Sequence, residues 1–397
     1  MKDLALRTRR GAVGRIPDDA VSGQAQRGGK ARTLTMLVVL FAAILAPLAA
    51  VTAASAVSIG EGNNSTGIAY EGYDHTLIFR WQTYGTSGWN KEGVAGKYTT
   101  YSSPAVAETS SSTVIAYEGY GHSLIFRWQA YGSSTWNREV VAGKNNAYSA
   151  PSIGEGNNSN GIAVEGPDHS LDYYWQTYGA TQWNEEVVAG SGTTYSVPAV
   201  ANDSGGIFGY GETDIYVEGA GHTLIDWNQP WGSGGWTQEK DAGTGTTYSA
   251  PSVIESGGAT FFGDDFYLEV AYEGPSNSLQ LYWHGTGDSG LETVAGAGTT
   301  YSAPSIGAGN NSAGVTAEGP SHSLDFYWQS FGNSGWNQES VNSSNSTYSA
   351  PSIGEGNNST GITVEGHDHT LDFYWQTYGG SSGWNQETAA GNWTTYA

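Results

Sequence analysis

The chain has 397 residues, with 58 glycines, 13% aromatic residues, no cysteine and a formal net charge of −23. The lack of cysteine excludes disulfides and thiolate metal ligands. So acidic a chain is poorly suited to neutralise phosphates, which argues against nucleic acid as a partner.

The N-terminal segment reads as an export signal. Residues 1–33 are basic and precede an apolar run over 34–48, and small residues follow at Ala54 and Ala56. This order is typical of a signal peptide, so we predict cleavage after Ala56 and a secreted mature chain with no membrane insertion. That chain carries 7 basic and 35 acidic residues, a net charge of −28. An uncleaved membrane anchor is the alternative, because the run is nearly long enough to span a bilayer.

The rest of the sequence is seven tandem copies of one unit, 47 or 53 residues long. A period in the forties, with Gly, Asn and Pro between short apolar runs, is typical of propeller blades. The copies cover 57–103, 104–150, 151–197, 198–250, 251–303, 304–350 and 351–397.

Each copy contains four predicted strands, here called a to d, which in the third copy are 149–153, 161–165, 171–176 and 183–188. Strand c alternates its side chains between two faces, and the connections are short hairpin turns. We therefore predict an all-β fold, a seven-bladed β-propeller of four-stranded antiparallel blades. The end copies resemble the inner ones, which favours a closed ring over a solenoid. We expect residues 393–397 to close it by pairing with Val57.

One stretch of the repeat resembles a known family. The run Glu165 to Trp175, followed by Gly-x-x-x-Trp-Asn-x-Glu ending at Glu186, is similar to the blade motif of bacterial seven-bladed propeller lectins and of the related tectonin-like and fucose-specific lectins. His169 stands where those blades have the second glycine of their turn. The resemblance implies sugar binding at several equivalent sites and names no sugar.

Two other recurring side chains are assigned to structure. A turn Glu is followed four residues later by His, as at Glu165 and His169, with Asn277 replacing His in the fifth copy. We favour a hydrogen-bonding role for this His over ligand contact. No second ligand stands at chelating spacing, so we predict neither a metal nor a cofactor. The strand c Trp, such as Trp175, alternates with Leu and an aromatic residue and is assigned to the blade core.

The Trp that opens strand d is the preferred ligand residue. It follows a glycine-rich turn, so its indole can lie at a rim and stack on a sugar ring, while a Glu three residues later accepts hydroxyl groups. Asn157 and Asn158 should share that rim, and the His turn should lie at the other. The alternative is that this Trp only fills the gap between blades. The candidate residues are Trp89, Trp136, Trp183, Trp236, Trp336 and Trp384, with Glu92, Glu139, Glu186, Glu239, Glu339 and Glu387; the fifth copy has Leu291 in place of Trp.

Three functions fit a repeated propeller. Catalysis is disfavoured, because carboxylates in near-identical surroundings cannot separate the pKa values of an acid and a base; no catalytic residue is predicted. Several weak sugar sites on one ring gain avidity, so we predict a monomeric or weakly oligomeric protein that binds glycans or glycoconjugates. A protein-binding or cell-surface scaffold is the alternative. A glycoside-active enzyme is third, and its site would be sought at the insertions near 207–214 and 261–267.

Overall fold

The computed structural model describes residues 57–203, 211–260, 263–285, 288–378 and 383–395. The predicted signal peptide, residues 1–56, lies outside this part of the chain, as does most of the first insertion. Within the described residues, no helix has the length and apolar character needed to cross a membrane.

Seven four-stranded antiparallel sheets, blades 1 to 7, follow one another along the chain, and each keeps its strands in sequence order. This confirms the predicted seven-bladed propeller. Blades 1 to 3 contain β1 (Val57–Gly62), β2 (Ser65–Gly72), β3 (Thr76–Thr83), β4 (Asn90–Ala95); β5 (Ala105–Glu108), β6 (Ser112–Gly119), β7 (Ser123–Ala130), β8 (Asn137–Ala142); β9 (Ser152–Gly156), β10 (Ser159–Glu165), β11 (Leu171–Thr177) and β12 (Asn184–Ala189).

Blade 5 departs most from the common length, because its β17 and β18 extend into a longer hairpin where the second insertion lies. Blades 4 to 7 contain β13 (Ala199–Asp203), β14 (Glu212–Gly219), β15 (Thr223–Pro230), β16 (Thr237–Lys240); β17 (Ser252–Thr260), β18 (Gly263–Gly274), β19 (Ser278–Gly285), β20 (Asp288–Ala295); β21 (Ser305–Gly309), β22 (Ser312–Glu318), β23 (Leu324–Ser330), β24 (Asn337–Asn342); β25 (Ser352–Gly356), β26 (Ser359–Glu365), β27 (Leu371–Thr377) and β28 (Asn385–Ala390). Short 3₁₀ turns are formed by Tyr73–His75, Pro167–His169, Pro320–His322 and His367–His369.

Strand a of each blade lines the central axis, since consecutive a strands are neighbours around the ring. A serine hydroxyl of one a strand accepts the backbone N–H of the next, as Ser58 does from Val106 at 3.1 Å. Ser352 of blade 7 accepts in the same way from Ile59 of blade 1, at 3.2 Å. The ring therefore closes through a contact that also joins blades 1 and 2, 3 and 4, 5 and 6, and 6 and 7. Blades 2 and 4 carry Ala105 and Ala199 in place of the serine.

The predicted pairing of residues 393–397 with Val57 falls partly on residues 396–397, which lie outside the described residues. Thr395 forms an antiparallel bridge with Gly72, at the end of β2. The connector that follows strand d reaches the end of strand b in the next blade throughout the ring, as Tyr101 N does to Glu118 O at 2.9 Å. The connector after the last strand d makes the equivalent contact with the end of strand b in blade 1, where the ring closes.

The hydrophobic core is divided among the interfaces between blades. Each of seven buried clusters combines side chains of two successive blades. Between blades 1 and 2, Leu77 and Phe79 pack on Ile115, Tyr117 and Ile125. The even and odd side chains of strand c thus face opposite neighbours, which explains why strand c is apolar on both faces.

Near the axis, one blade approaches the backbone of another so closely that only glycine fits. A Cβ added to Gly62 would lie 2.5 Å from Cβ of Glu108, which belongs to blade 2. The neighbouring Gly60 lies beneath the same Glu side chain. The same relation holds between Glu61 and Gly354, and between Asn202 and Gly156.

We predict that Gly62→Ala lowers the free energy of unfolding by about 2 kcal/mol, the typical cost of overpacking. Glu108 cannot relieve the clash by changing rotamer, because its Cβ is fixed by the backbone. Urea unfolding followed by tryptophan fluorescence measures the change. Gly93→Ala is the matched control, since Gly93 faces open space and blades 2 and 3 carry Val140 and Val187 there. Equal stability of the two variants would contradict the packing argument.

Candidate functional site

The turns divide between two rims, as predicted. The c–d turn meets the a–b loop of its own blade, with Tyr84 N donating to Asn64 O at 3.0 Å. The d–a connector meets the b–c turn, with Thr99 N donating to His75 O at 3.0 Å. We call these the Trp rim and the His rim.

On the Trp rim, the predicted Trp and Glu residues come together across blade boundaries. Oε2 of Glu139 in blade 2 accepts from Trp183 Nε1 at 2.9 Å and from Gln176 Nε2 at 3.0 Å, both in blade 3. The same two donor types, at 2.8 to 3.2 Å, join Glu92 to Trp136 and Gln129, Glu186 to Trp236 and Gln229, Glu339 to Trp384 and Gln376, and Glu387 to Trp89 and Gln82.

These hydrogen bonds between successive blades change which Glu residues belong with the predicted Trp residues. Because each carboxylate serves the following blade, Glu292 belongs to the set and accepts from Trp336 at 3.2 Å. Sequence reasoning omitted it, since its own repeat lacks the Trp. Glu239 was included, yet it is exposed and no tryptophan of blade 5 occupies the matching position.

The prediction that Leu291 of the fifth repeat takes the position of the strand d Trp was also wrong. Leu291 lies opposite Tyr282, and Gly290 lies opposite Trp283. In blade 3 the residues opposite Tyr174 and Trp175 are Glu185 and Asn184. Leu291 therefore occupies the position of Glu185, and the Trp position falls to Ser289.

The strand d Trp is half-buried in the interface. Trp183 packs edge-on against Phe126 of the preceding blade, with ring centres 5.1 Å apart, and joins the cluster between blades 2 and 3. These contacts are those of a side chain that fills the gap between blades. Stacking of this indole on a sugar remains a prediction.

A groove of about 260 Å³ on this rim lies between blades 2 and 3. Aromatic rings of Phe126 and Trp128 line it together with polar groups. Trp128, predicted to belong to the blade core, is half-buried and packs against the buried cluster between blades 2 and 3. Trp183, Asn157 and Asn158 are not among the lining residues, whose polar members are Thr109, Ser110, Ser111, Ser112, Glu139, Asn160, Gln176 and Tyr178.

Two acceptor atoms in this groove suit hydroxyl donors. Both donors to Glu139 bind Oε2, and within the described residues no donor to its Oε1 is found. At Glu186 and Glu339, by contrast, Oε1 accepts from Trp175 and Trp328 of the same blade, each at 3.2 Å. Oδ1 of Asn160 is buried and has no partner within the described residues, although buried polar atoms are usually satisfied. Acceptors beside aromatic rings form the kind of lining that binds sugar rings.

The His rim repeats a different contact, which favours the structural role assigned to His. His75 Nδ1 lies 2.5 Å from Glu71 Oε1, and its ring stacks on Tyr101 at 4.9 Å. In blade 5, Asn277 Nδ2 donates to Glu273 Oε1 at 2.8 Å, so an amide performs the same task. Within the described residues, no group of three or more His, Asp and Glu side chains could hold a metal ion.

A third region is the axial cavity, about 520 Å³, lined by strand a carboxyls. Thr66 and Tyr84 donate to Glu61, at 2.9 and 2.6 Å, and Tyr131 donates to Glu108 at 3.0 Å. Burial raises the pKa of Glu61 to about 8 and the pKa values of Glu108, Glu155 and Glu355 to about 7. The folded ring therefore favours protonated carboxyls at its axis.

We predict that stability decreases as pH rises from 5 to 8. The folded pKa of these carboxyls exceeds the unfolded value of 4.5, so their stabilisation is complete below pH 4.5 and disappears as pH rises through 7 to 8. Glu108→Gln should reduce this pH dependence and raise the melting temperature at pH 8, as measured by calorimetry. An amide is tolerated there, since Asn202 takes this position in blade 4.

Glu239→Gln, on an exposed side chain, is the control for loss of one negative charge. An unchanged pH profile in Glu108→Gln would show that the axial carboxyls do not cause the effect.

Comparison with known proteins shows which solved structures share this fold. No family model matches the sequence, and no curated protein matches it. Among solved structures, the chain is similar to the BP39L lectin from Burkholderia pseudomallei (TM-score 0.70, 18% identity, 86% of this chain and 99% of that one). It is also similar to AofleA from Arthrobotrys oligospora (0.52, 10%, 74% and 88%) and to a fucose-specific lectin from Aleuria aurantia (0.51, 10%, 88% and 97%). At these identities the likeness establishes that the chain shares the propeller fold of these proteins.

Proposed function

We propose that this chain is a multivalent carbohydrate-binding protein, exported after loss of residues 1–56, whose sugars bind in the grooves between blades on the Trp rim. The observation that carries the proposal is the repeated carboxylate, fixed by Trp and Gln donors of the next blade, beside aromatic side chains. Around Glu139 this arrangement borders an open groove with further hydroxyl and amide groups.

The chemistry of this groove matches that of a sugar. The ring face of a sugar packs on an aromatic ring, here Phe126 or Trp128, and its hydroxyls donate to Glu139 or Asn160. The groove is slightly smaller than the roughly 300 Å³ at which small-molecule sites begin, so it suits one or two sugar rings. Modest affinity at each site is compensated by several sites on one rigid ring.

The similar solved structures suggest which sugar to test first. One Aleuria aurantia lectin structure, with a TM-score of 0.50 and 13% identity, contains Fucα1-6GlcNAc. Fucosides are therefore the first probes, followed by a broad glycan array.

The decisive variant changes the carboxylates to amides. Replacing Trp by Ala would remove side chains that fill the blade interfaces, so lost binding could reflect lost structure. Gln keeps the shape of Glu and can still accept from the indole N–H. We predict that Glu→Gln at the six interface carboxylates weakens glycan binding at least tenfold, because a hydrogen bond to a charged acceptor contributes about 1.5–3 kcal/mol. The positions are Glu92, Glu139, Glu186, Glu292, Glu339 and Glu387.

Binding is measured on the array and by isothermal titration calorimetry, with circular dichroism as a check of folding. Glu239→Gln is the matched control and should bind as the parent does, because its interface lacks the Trp donor. Absence of any glycan ligand for the parent protein would favour the scaffold function. Turnover of a glycoside panel would instead favour an enzyme.

A further inference from the structure

The basic residues of the propeller are gathered in one sector. Blades 1 and 2, residues 57–150, carry six basic and seven acidic residues, a net charge of −1. Residues 151–397 carry one basic and 28 acidic residues, a net charge of −27. Blades 3 to 7 therefore repel a negatively charged ligand, whereas blades 1 and 2 are close to neutral and do not.

A groove of about 340 Å³ lies in that sector, on the face of blade 2 that packs against blade 1. We call it the Arg127 groove. It differs from the Trp-rim groove in both place and lining, and no Asp or Glu is among its described lining residues. The lining residues with aromatic or charged side chains are Tyr98, Tyr117, Tyr120, Arg127, Arg138 and Lys144.

Two arginines in this groove lie directly opposite each other on neighbouring strands, Arg127 on β7 and Arg138 on β8. Like charges at such positions destabilise a sheet. Blade 6 has two uncharged residues at the same positions, where Gln338 Nε2 donates to Tyr327 Oη at 3.2 Å. Blade 1 has the same kind of pair, Arg80 opposite Lys91, and Arg127 Nε also donates to Tyr117 Oη at 3.0 Å. The fold does not require two cations at these positions, and a bound anion would relieve their repulsion.

The third cation, Lys144, lacks the partner that its counterpart has. In blade 1, Lys97 Nζ lies 2.5 Å from Asp74 Oδ2. Gly121 replaces that aspartate in the blade 2 turn. Lys144 Nζ lies instead 4.9 Å from the ring centre of Tyr120, and no salt bridge of Lys144 occurs within the described residues.

The groove also presents aromatic rings to solvent. Tyr98 and Tyr120 are 61% and 64% exposed, although large aromatic side chains usually bury most of their surface. Exposed rings beside three cations provide both a stacking surface for a sugar and a counter-charge for an acidic group on it. A long polyanion would extend over the acidic blades, so a short ligand fits better.

We propose that the Arg127 groove binds an acidic mono- or disaccharide, with its carboxylate or sulfate on Arg127 and Arg138 and its ring on Tyr98 or Tyr120. This site is separate from the grooves of the Trp rim and differs from them in ligand charge. It goes beyond the function proposed above, because it does not depend on the interface carboxylates.

Isothermal titration calorimetry with digalacturonate, galactose 6-sulfate, neutral digalactoside and inorganic sulfate tests the proposal. The purified protein should bind digalacturonate or galactose 6-sulfate, and the stronger of the two identifies the acidic group. Affinity should fall as sodium chloride rises, because the contact is ionic. Equal affinity for neutral digalactoside, or inorganic sulfate binding as tightly as both acidic sugars, would overturn the proposal.

The double variant Arg127→Tyr with Arg138→Gln reproduces the pair that blade 6 already contains, so it should fold. We expect it to lose at least tenfold in affinity for the acidic sugar. Circular dichroism checks that it is folded, because Arg127 Nε no longer donates to the buried Tyr117 Oη. Lys240→Gln removes one positive charge elsewhere and should leave the affinity unchanged. Glu139→Gln should also leave it unchanged, which separates this site from the Trp rim. Retained affinity in the double variant would refute the proposal.

Discussion

Packing of each sheet onto the next is the constraint on which the whole molecule depends. No blade has a core of its own, because every buried cluster combines side chains of two successive blades. Closure of the ring removes the two exposed faces that an open stack would leave. Ser352 and Ile59 make across the closure the contact that Ser58 and Val106 make within the ring, so a single interface geometry suffices for the complete fold.

The same constraint places the candidate sites between repeats. The groove between blades 2 and 3 takes its aromatic wall and its carboxylate from one blade and its amide groups from the next. A substitution in one copy therefore alters a site shared with its neighbour. The fifth copy shows this effect, since its missing Trp leaves Glu239 of blade 4 without that donor while its own Glu292 still binds Trp336 of blade 6.

Sequence predicted the strands, the turns and the two rims because these are local properties. Alternating side chains define strands, and the Asn-Asn turns adopt the left-handed backbone expected there, with φ of 46° and 58° at Asn157 and Asn158. The hydrogen bond between Glu139 and Trp183 was not predicted, because the sequence of one repeat does not show which neighbouring blade each face of its sheet contacts. The axial position of strand a and the partner of Thr395 were beyond prediction for the same reason. The Leu291 misalignment arose from a shortened c–d turn, which only the strand register resolves.

Departures from repeat symmetry locate functions that occur once. Interfaces that keep the Glu, Trp and Gln contact share one geometry, so whatever they bind is bound several times. Arg127 and Arg138 form a like-charge pair that blade 1 shares as Arg80 and Lys91 and that blades 3 to 7 lack. Gly121 leaves Lys144 without the carboxylate available to Lys97. Both changes raise the positive potential of the same groove, and neither is needed for packing. Within the described residues, the combination of such a pair with a lysine in the d–a connector that has no salt bridge occurs in blade 2 alone, and a ligand explains that combination better than drift. The ring thus combines a repeated Glu and Trp contact at its candidate sites with one groove whose lining favours a ligand of negative charge.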